Sequence, residues 1–163
     1  MKSSLTSTRL ELNELSPDDA PFILELLNTE GWKRFIGDRN ISSVEDAAVY
    51  IQKILDNPNV TYWVVRLKVE KEAVGVITFI KRDYLEHNDI GFAFLPAYAK
   101  QGYAYEAAQL VLNEAINSNL YDNVLATTIP ENESSISLLK KLGLSFKEQI
   151  EVGEVSLSVY SLK

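Results

Sequence analysis

From Leu95 to Ala107 the chain reads Leu-Pro-Ala-Tyr-Ala-Lys-Gln-Gly-Tyr-Ala-Tyr-Glu-Ala, a strand end, a short loop and a helix start in succession. The first turn of a helix leaves N–H groups unpaired and carries a partial positive charge, so an anionic phosphate can bind there. Gly102 and Ala104 are small where such a group would have to approach the backbone, and Lys100 could add a cation. Taken alone, a glycine at a helix start is more often the residue of simple turn chemistry than of a phosphate site. One strand downstream lies Asn132-Glu133-Ser134-Ser135-Ile136-Ser137-Leu138-Leu139-Lys140-Lys141-Leu142-Gly143, of the form N-x-x-S-x-x-L-L-x-K-x-G. Upstream stands Asp89-Ile90-Gly91-Phe92-Ala93-Phe94-Leu95, an apolar strand headed by a carboxylate.

Composition removes several other chemistries. There are no cysteines, which excludes disulfides, thiolate metal sites and a cysteine nucleophile. The one histidine, His87, leaves no His-rich metal site and would make any Ser–His triad depend on a single loop residue. No metal is expected. Sixteen basic residues against 23 acidic ones give a formal charge of −7, the wrong sign for nonspecific nucleic-acid binding. An acidic surface attracts cationic partners such as amines, and it also simply keeps a protein soluble. Neither a G-x-G-x-x-G nor a G-x-x-x-x-G-K-[ST] fingerprint occurs, which weighs against a nucleotide-binding domain. No apolar run approaches the roughly 18 residues of a membrane span, and the start has no apolar signal core. The expected address is cytoplasmic.

The elements that must position these residues follow from periodicity. With 163 residues and no linker, repeat or low-complexity tract, one domain over 1–163 is expected. Leu10 and Leu12 alternate with polar neighbours as in a half-buried strand. Ser16-Pro17-Asp18-Asp19 opens a helix with a cap, a first-turn proline and acids at the positive dipole end. A second helix starts near Ser43, and residues 28–41 between them read as an irregular loop. Strands are predicted at 61–69, 73–80 and 88–95, then a helix at 102–116, a strand at 124–129 and a helix capped by Asn132. Residues 144–152 and 154–162 read as an antiparallel pair around Gly153. The order βααβββαβαββ predicts an α/β (α+β) fold: a mixed, mostly antiparallel sheet of six to seven strands with helices on both faces.

Taken together, the three motifs resemble the GNAT superfamily of acetyl-CoA-dependent N-acyltransferases, most nearly the branch with ribosomal-protein N-terminal acetyltransferases. Phe35-Ile36-Gly37-Asp38-Arg39 and Lys81-Arg82-Asp83-Tyr84 are similar to segments of uncharacterised bacterial members. The resemblance spans nearly the whole chain and is strongest over 74–146. It implies a V-shaped opening where the strands bearing Phe94 and Ala126 splay apart. Acetyl-CoA would enter it, with its pantetheine pairing beside Phe94 and Leu95. Its diphosphate would rest on the N–H groups of Lys100, Gln101, Gly102, Tyr103, Ala104 and Tyr105. Asn132 would contact the pantetheine and Ser135 would lie near the sulfur. Two family features are missing: Ala99 stands three residues before the glycine where Gln or Arg is usual, and Leu139 replaces a tyrosine acid.

The implied chemistry is acetyl transfer from a thioester to an amine. An alkylammonium with a pKa of about 10.4 has no lone pair, so a base or proton wire must deliver the free amine. Asp89 matches the family's glutamate base, through water; otherwise it is a solvated strand-edge carboxylate. Ser135 is the candidate to hydrogen-bond the leaving sulfur, or else a capping hydroxyl, or both. Trp32, Phe35 and Asp38 are candidates to line the acceptor side, an aromatic and a carboxylate suiting an amine; Trp32 reads equally as core. Enzyme action through a ternary complex is the leading expectation, with a noncatalytic acyl-CoA-binding module as the alternative. The molecule is expected to be a monomer or homodimer.

Overall fold

A computed structural model describes residues 1–163. Eight strands form one sheet in the order β1-β2-β3-β4-β5-β6-β8-β7. They are β1 (Ser4–Thr6), β2 (Leu10–Glu14), β3 (Val60–Leu67), β4 (Ala73–Ile80), β5 (Asp89–Phe94), β6 (Leu125–Thr128), β7 (Ser145–Val152) and β8 (Val155–Ser161). The helices are α1 (Ala20–Leu27), α2 (Glu30–Phe35), α3 (Val44–Leu55), α4 (Tyr103–Asn117) and α5 (Glu133–Lys141). Every neighbouring pair of strands is antiparallel except β5 and β6. The sheet thus has one or two more strands than expected, the addition being β1, too short to carry an alternation of its own. No helix is long and apolar enough to cross a membrane.

The expected irregular stretch at 28–41 contains α2. Its signal is local: Thr29 caps it, with its hydroxyl accepting from the Trp32 amide at 3.2 Å, and Glu30 sits at the positive end. With only six residues, α2 has too few periodic positions to show an apolar stripe.

Two cores sandwich the sheet. On one face, the alanine-rich side of α4 (Ala107, Ala108, Val111, Leu112, Ala115) packs on Leu10, Leu12, Val65, Ile77, Ile90 and Ala126. Small side chains let this helix lie close to the strands. On the other face, Ile23, Leu26, Ala47, Ile51 and Ile54 from α1 and α3 bury Tyr62, Val64 and Val76. At roughly 25 cal/mol per Å² of apolar burial, these layers are the main force holding the frame of the site.

Candidate functional site

The strands β5 and β6 share a single bridge, Asp89 opposite Leu125, with the Leu125 amide donating to the Asn88 carbonyl at 3.0 Å. Beyond it they part. On its other side β5 is fully paired with β4, from Ile80 opposite Asp89 to Gly75 opposite Phe94, and the Leu95 amide donates to Val74 at 2.9 Å. Hydrogen bonding alternates along an antiparallel pair, so Phe92 and Phe94 turn their amides and carbonyls away from β4 and into the opening. Gly75 makes room for this arrangement: a Cβ there would lie 2.5 Å from the Phe94 ring. The result is an unpaired strand edge, able to accept an extended amide-bearing chain.

At the top of β5 the chain turns through Pro96–Tyr98 into α4. Lys100 and Gly102 both adopt left-handed conformations, with φ of 61° and 82°. The first helical bond runs from the Glu106 amide to the Gly102 carbonyl at 3.0 Å, and the amides of residues 100–105 donate to no protein acceptor. Six free N–H groups around a helix start form the cradle an anionic diphosphate requires. Lys100 is exposed beside it.

Arg9 braces this loop, a role the sequence did not reveal. Its Nε meets Glu106 Oε1 at 2.7 Å, its Nη1 donates to the Gln101 carbonyl at 3.0 Å, and its guanidinium lies 4.4 Å from the Tyr103 ring centroid. Ser7 Oγ and the Arg9 amide donate to the other Glu106 oxygen at 2.5 and 3.1 Å. Burial alone would raise the Glu106 carboxyl pKa, but the hydrogen bonds from Ser7 and Arg9 outweigh it and hold it below the usual range. The partner sits 97 residues away, in the β1–β2 turn, beyond the reach of any local pattern. Tyr103 and Tyr105 pack against the α4 core, and Tyr105 carries Lys141 Nζ at 4.5 Å from its ring centroid.

Asp89 lies at the apex of the split and is 3% exposed, so it is not a solvated strand-edge carboxylate. Its Oδ2 accepts from Arg82 Nε at 3.0 Å and from Thr127 Oγ1 at 3.4 Å, while its buried Oδ1 has no donor at all. Burial pushes its carboxyl above the usual range, against the opposing pull of Arg82. Alternation along β5 puts Asp89, Gly91 and Ala93 on the face covered by α1–α3. Gly91 adds no side chain between its neighbours, and a Cβ there would strike Thr78 Oγ1 at 2.6 Å.

Asn132 caps α5, its Oδ1 accepting from the Ser135 amide at 3.2 Å, and the Ser135 hydroxyl itself makes no hydrogen bond within the protein. Leu139, in place of a tyrosine, is 1% exposed and faces the core. Trp32 is 4% exposed within the α1–α3 core, its indole N–H buried without an acceptor. That is a core position, not an open wall. Phe35 is half-buried under Arg34, and Asp38 is exposed, its Oδ1 accepting from the Asn40 amide at 2.8 Å.

A split parallel pair beside a free amide cradle defines an acyl-CoA N-acyltransferase architecture. The acetyltransferase (GNAT) domain family matches residues 9–145. The uncharacterised N-acetyltransferase YnaD of Bacillus subtilis is 30% identical over 86% of this chain and 81% of its own. Among solved structures, a GNAT-family acetyltransferase from Bacillus anthracis is 25% identical with a TM-score of 0.81, covering 97% of this chain and 96% of that one. The ribosomal-protein α-N-acetyltransferase RimL, solved in complex with coenzyme A, has a TM-score of 0.83 at 14% identity, covering 96% and 95%. The chain belongs to the GNAT family of acetyl-CoA-dependent acetyltransferases, as its motifs imply.

Proposed function

We propose that this protein transfers an acetyl group from acetyl-CoA to a primary amine by direct attack within a ternary complex. The observation that carries the reading is the buried, donor-free Oδ1 of Asp89 at the point where β5 and β6 part. A buried carboxylate oxygen lacking a donor is costly unless a water or a ligand N–H completes it, and an ammonium group is such a donor.

Acetyl-CoA brings an acyl group already activated as a thioester. The amides of 100–105 hold its diphosphate, and the free edge at Phe92 and Phe94 receives its pantetheine, with Asn132 on the far side; Leu95, expected to share that pairing, has its N–H on Val74 and its carbonyl on the Tyr98 amide instead. RimL binding coenzyme A on the same fold supports this placement. Asp89 takes the proton of the acceptor ammonium through a chain of waters running along β5, since five residues of extended strand, roughly 16 Å, separate it from Phe94. Its raised pKa makes it a better base than an exposed aspartate. The Phe94 N–H donates to the carbonyl oxygen as negative charge gathers there. As the new N–C bond forms and the C–S bond breaks, the Ser135 hydroxyl hydrogen-bonds the departing thiolate. With a pKa of roughly 8.5 that thiolate needs only a weak donor, so Leu139 in place of a phenol is tolerated.

The test is release of free thiol from acetyl-CoA across a panel of amines, with wild type and Asp89→Asn. General-base loss predicts a fall of about 10²–10⁴ in kcat. Undiminished turnover in a folded Asp89→Asn variant removes Asp89 from the mechanism.

A further inference from the structure

Thr78 stands on β4 between Tyr62 of β3 and Gly91 of β5, three residues level across the sheet on the face covered by α1–α3. It presents its hydroxyl to β5. A Cβ placed on Gly91 would lie 2.6 Å from Thr78 Oγ1 and 3.9 Å from Thr78 Cβ, with the Thr78 methyl beyond 4 Å. A threonine that served packing alone would turn the methyl inward; this one sets its polar group over a residue with no side chain. The hydroxyl makes no hydrogen bond within the protein, yet it is not sealed from solvent as Asp89 Oδ1 is.

The neighbouring groups fit that placement. Asp89 is the next residue of β5 on this face, about 6.7 Å along the strand from Gly91, and its Oδ1 is buried with no donor. From β6, Thr127 Oγ1 lies 3.4 Å from Asp89 Oδ2, which Arg82 Nε also meets at 3.0 Å. Tyr62, on the far side of Thr78, is taken up with Tyr50, hydroxyl to hydroxyl at 3.1 Å. In the other direction along β5 the face carries only Ala93, opposite the buried and apolar Val76. The floor from Asp89 toward the acyl end therefore bears nothing larger than a methyl group, and Thr78 supplies a free hydroxyl beside it. A bare carboxylate oxygen and a free hydroxyl around a space no side chain fills are what an ordered water needs. A hydroxyl both donates and accepts, so it can hold such a water in line for proton transfer.

We propose that Thr78 is a positioning residue for the proton path: its hydroxyl fixes the water above Gly91 that joins Asp89 Oδ1 to the waters reaching the acceptor nitrogen beside Phe94. The nitrogen gives a proton to the nearest water, each water hands one on, and the last binds Asp89 Oδ1, which becomes neutral. The waters and the Thr78 hydroxyl end as they began. Gly91 is then bare because any side chain there would take the water's place. This deepens the acetyl-transfer reading and rests on Asp89 being the base.

The experiment compares Thr78→Val, which keeps the shape and loses the hydroxyl, with Thr78→Ser, which keeps the hydroxyl. Acetyl transfer is measured with the best acceptor among n-propylamine, ethanolamine, β-alanine, spermidine and a peptide beginning with alanine. Thr78→Val should lower kcat at least tenfold, with the KM for amine and for acetyl-CoA within twofold of wild type. Thr78→Ser should retain at least a third of kcat. The melting temperature of Thr78→Val should stay near that of wild type, because the lost hydroxyl bonds to no protein group. Thr61→Val, the same change on the opposite face of the sheet, should leave kcat unchanged. Undiminished kcat in Thr78→Val, or equal losses in Thr78→Val and Thr78→Ser, overturns the proposal. If no amine is acetylated, the acetyl-transfer reading fails, and a crystal structure with CoA bound decides the water path. A water bonded to Thr78 Oγ1 and joined to Asp89 Oδ1, directly or through one more water, upholds it; a dry notch above Gly91 overturns it.

Discussion

Replacing Arg9 with Gln should weaken the diphosphate cradle without touching any atom that reacts. The substitution frees Glu106, whose carboxylate stands in the first turn of α4 and is balanced by Arg9 at 2.7 Å. A diphosphate on the amides of 100–105 would lie on the order of 8 Å from it, somewhat more than one helical turn. At that range each pair of like charges costs about 0.5 kcal/mol in a water-like dielectric and about 2 kcal/mol at an effective dielectric of 20. Two diphosphate charges in a partly exposed site then give about 1.5–2.5 kcal/mol, roughly a ten- to seventyfold rise in the Kd for CoA. The direct loss of stability is smaller, about 0.5–1 kcal/mol, because Arg9 is 44% exposed and its pair is screened. Calorimetric titration with CoA reads the affinity, and the deficit should shrink as salt rises. The decisive comparison is the double variant: Glu106→Gln added to Arg9→Gln removes the uncompensated charge and should recover most of the binding. A double variant no tighter than Arg9→Gln alone refutes the electrostatic reasoning and leaves Arg9 as a purely mechanical brace.

Two further outcomes follow from the apex of the split. Burial raises the Asp89 carboxyl pKa and Arg82 opposes it, so Arg82→Gln should move the acid limb of kcat/KM to higher pH with any one amine. A carboxyl with a raised folded-state pKa favours folding below its unfolded pKa and loses that contribution as pH rises through the folded one, so Arg82→Gln should destabilise more at pH 8 than at pH 4 in thermal melts. An acid limb unmoved or shifted down would separate Arg82 from Asp89. Gly91→Ala would set a methyl 2.6 Å from Thr78 Oγ1, so a loss of about 1–3 kcal/mol is expected from denaturant unfolding. Thr78→Ala in the same chain should restore most of it; equal losses in single and double variants would show that another contact is at fault.

What was legible in the sequence is what is local. Strand alternation at Leu10 and Leu12, the Ser43 cap, and the Gly102 and Asn132 helix starts each rest on residues within a few positions of one another, and the structure has those elements. The strand–helix–strand succession over β5, α4 and β6 forces a parallel pair, which puts the 100–105 loop and Asn132 at one end of the sheet, beyond the C-terminal ends of the two strands. Short elements escaped: β1 has three residues and α2 six, and neither runs through enough periods to declare itself.

Only the folded chain decided the electrostatics. Asp89 heads a strand in either reading, and its sequence neighbours do not say whether water reaches it; burial between sheet and helices removes the water and leaves Oδ1 bare. Arg9 meets Glu106 across 97 positions and Thr127 reaches Asp89 across 38, contacts set by the packing of the elements on one sheet. Periodicity acts along the chain over a few residues, whereas charge and burial act through space. The sequence could therefore name the groups that do chemistry, and the tertiary structure alone could determine which charges surround them.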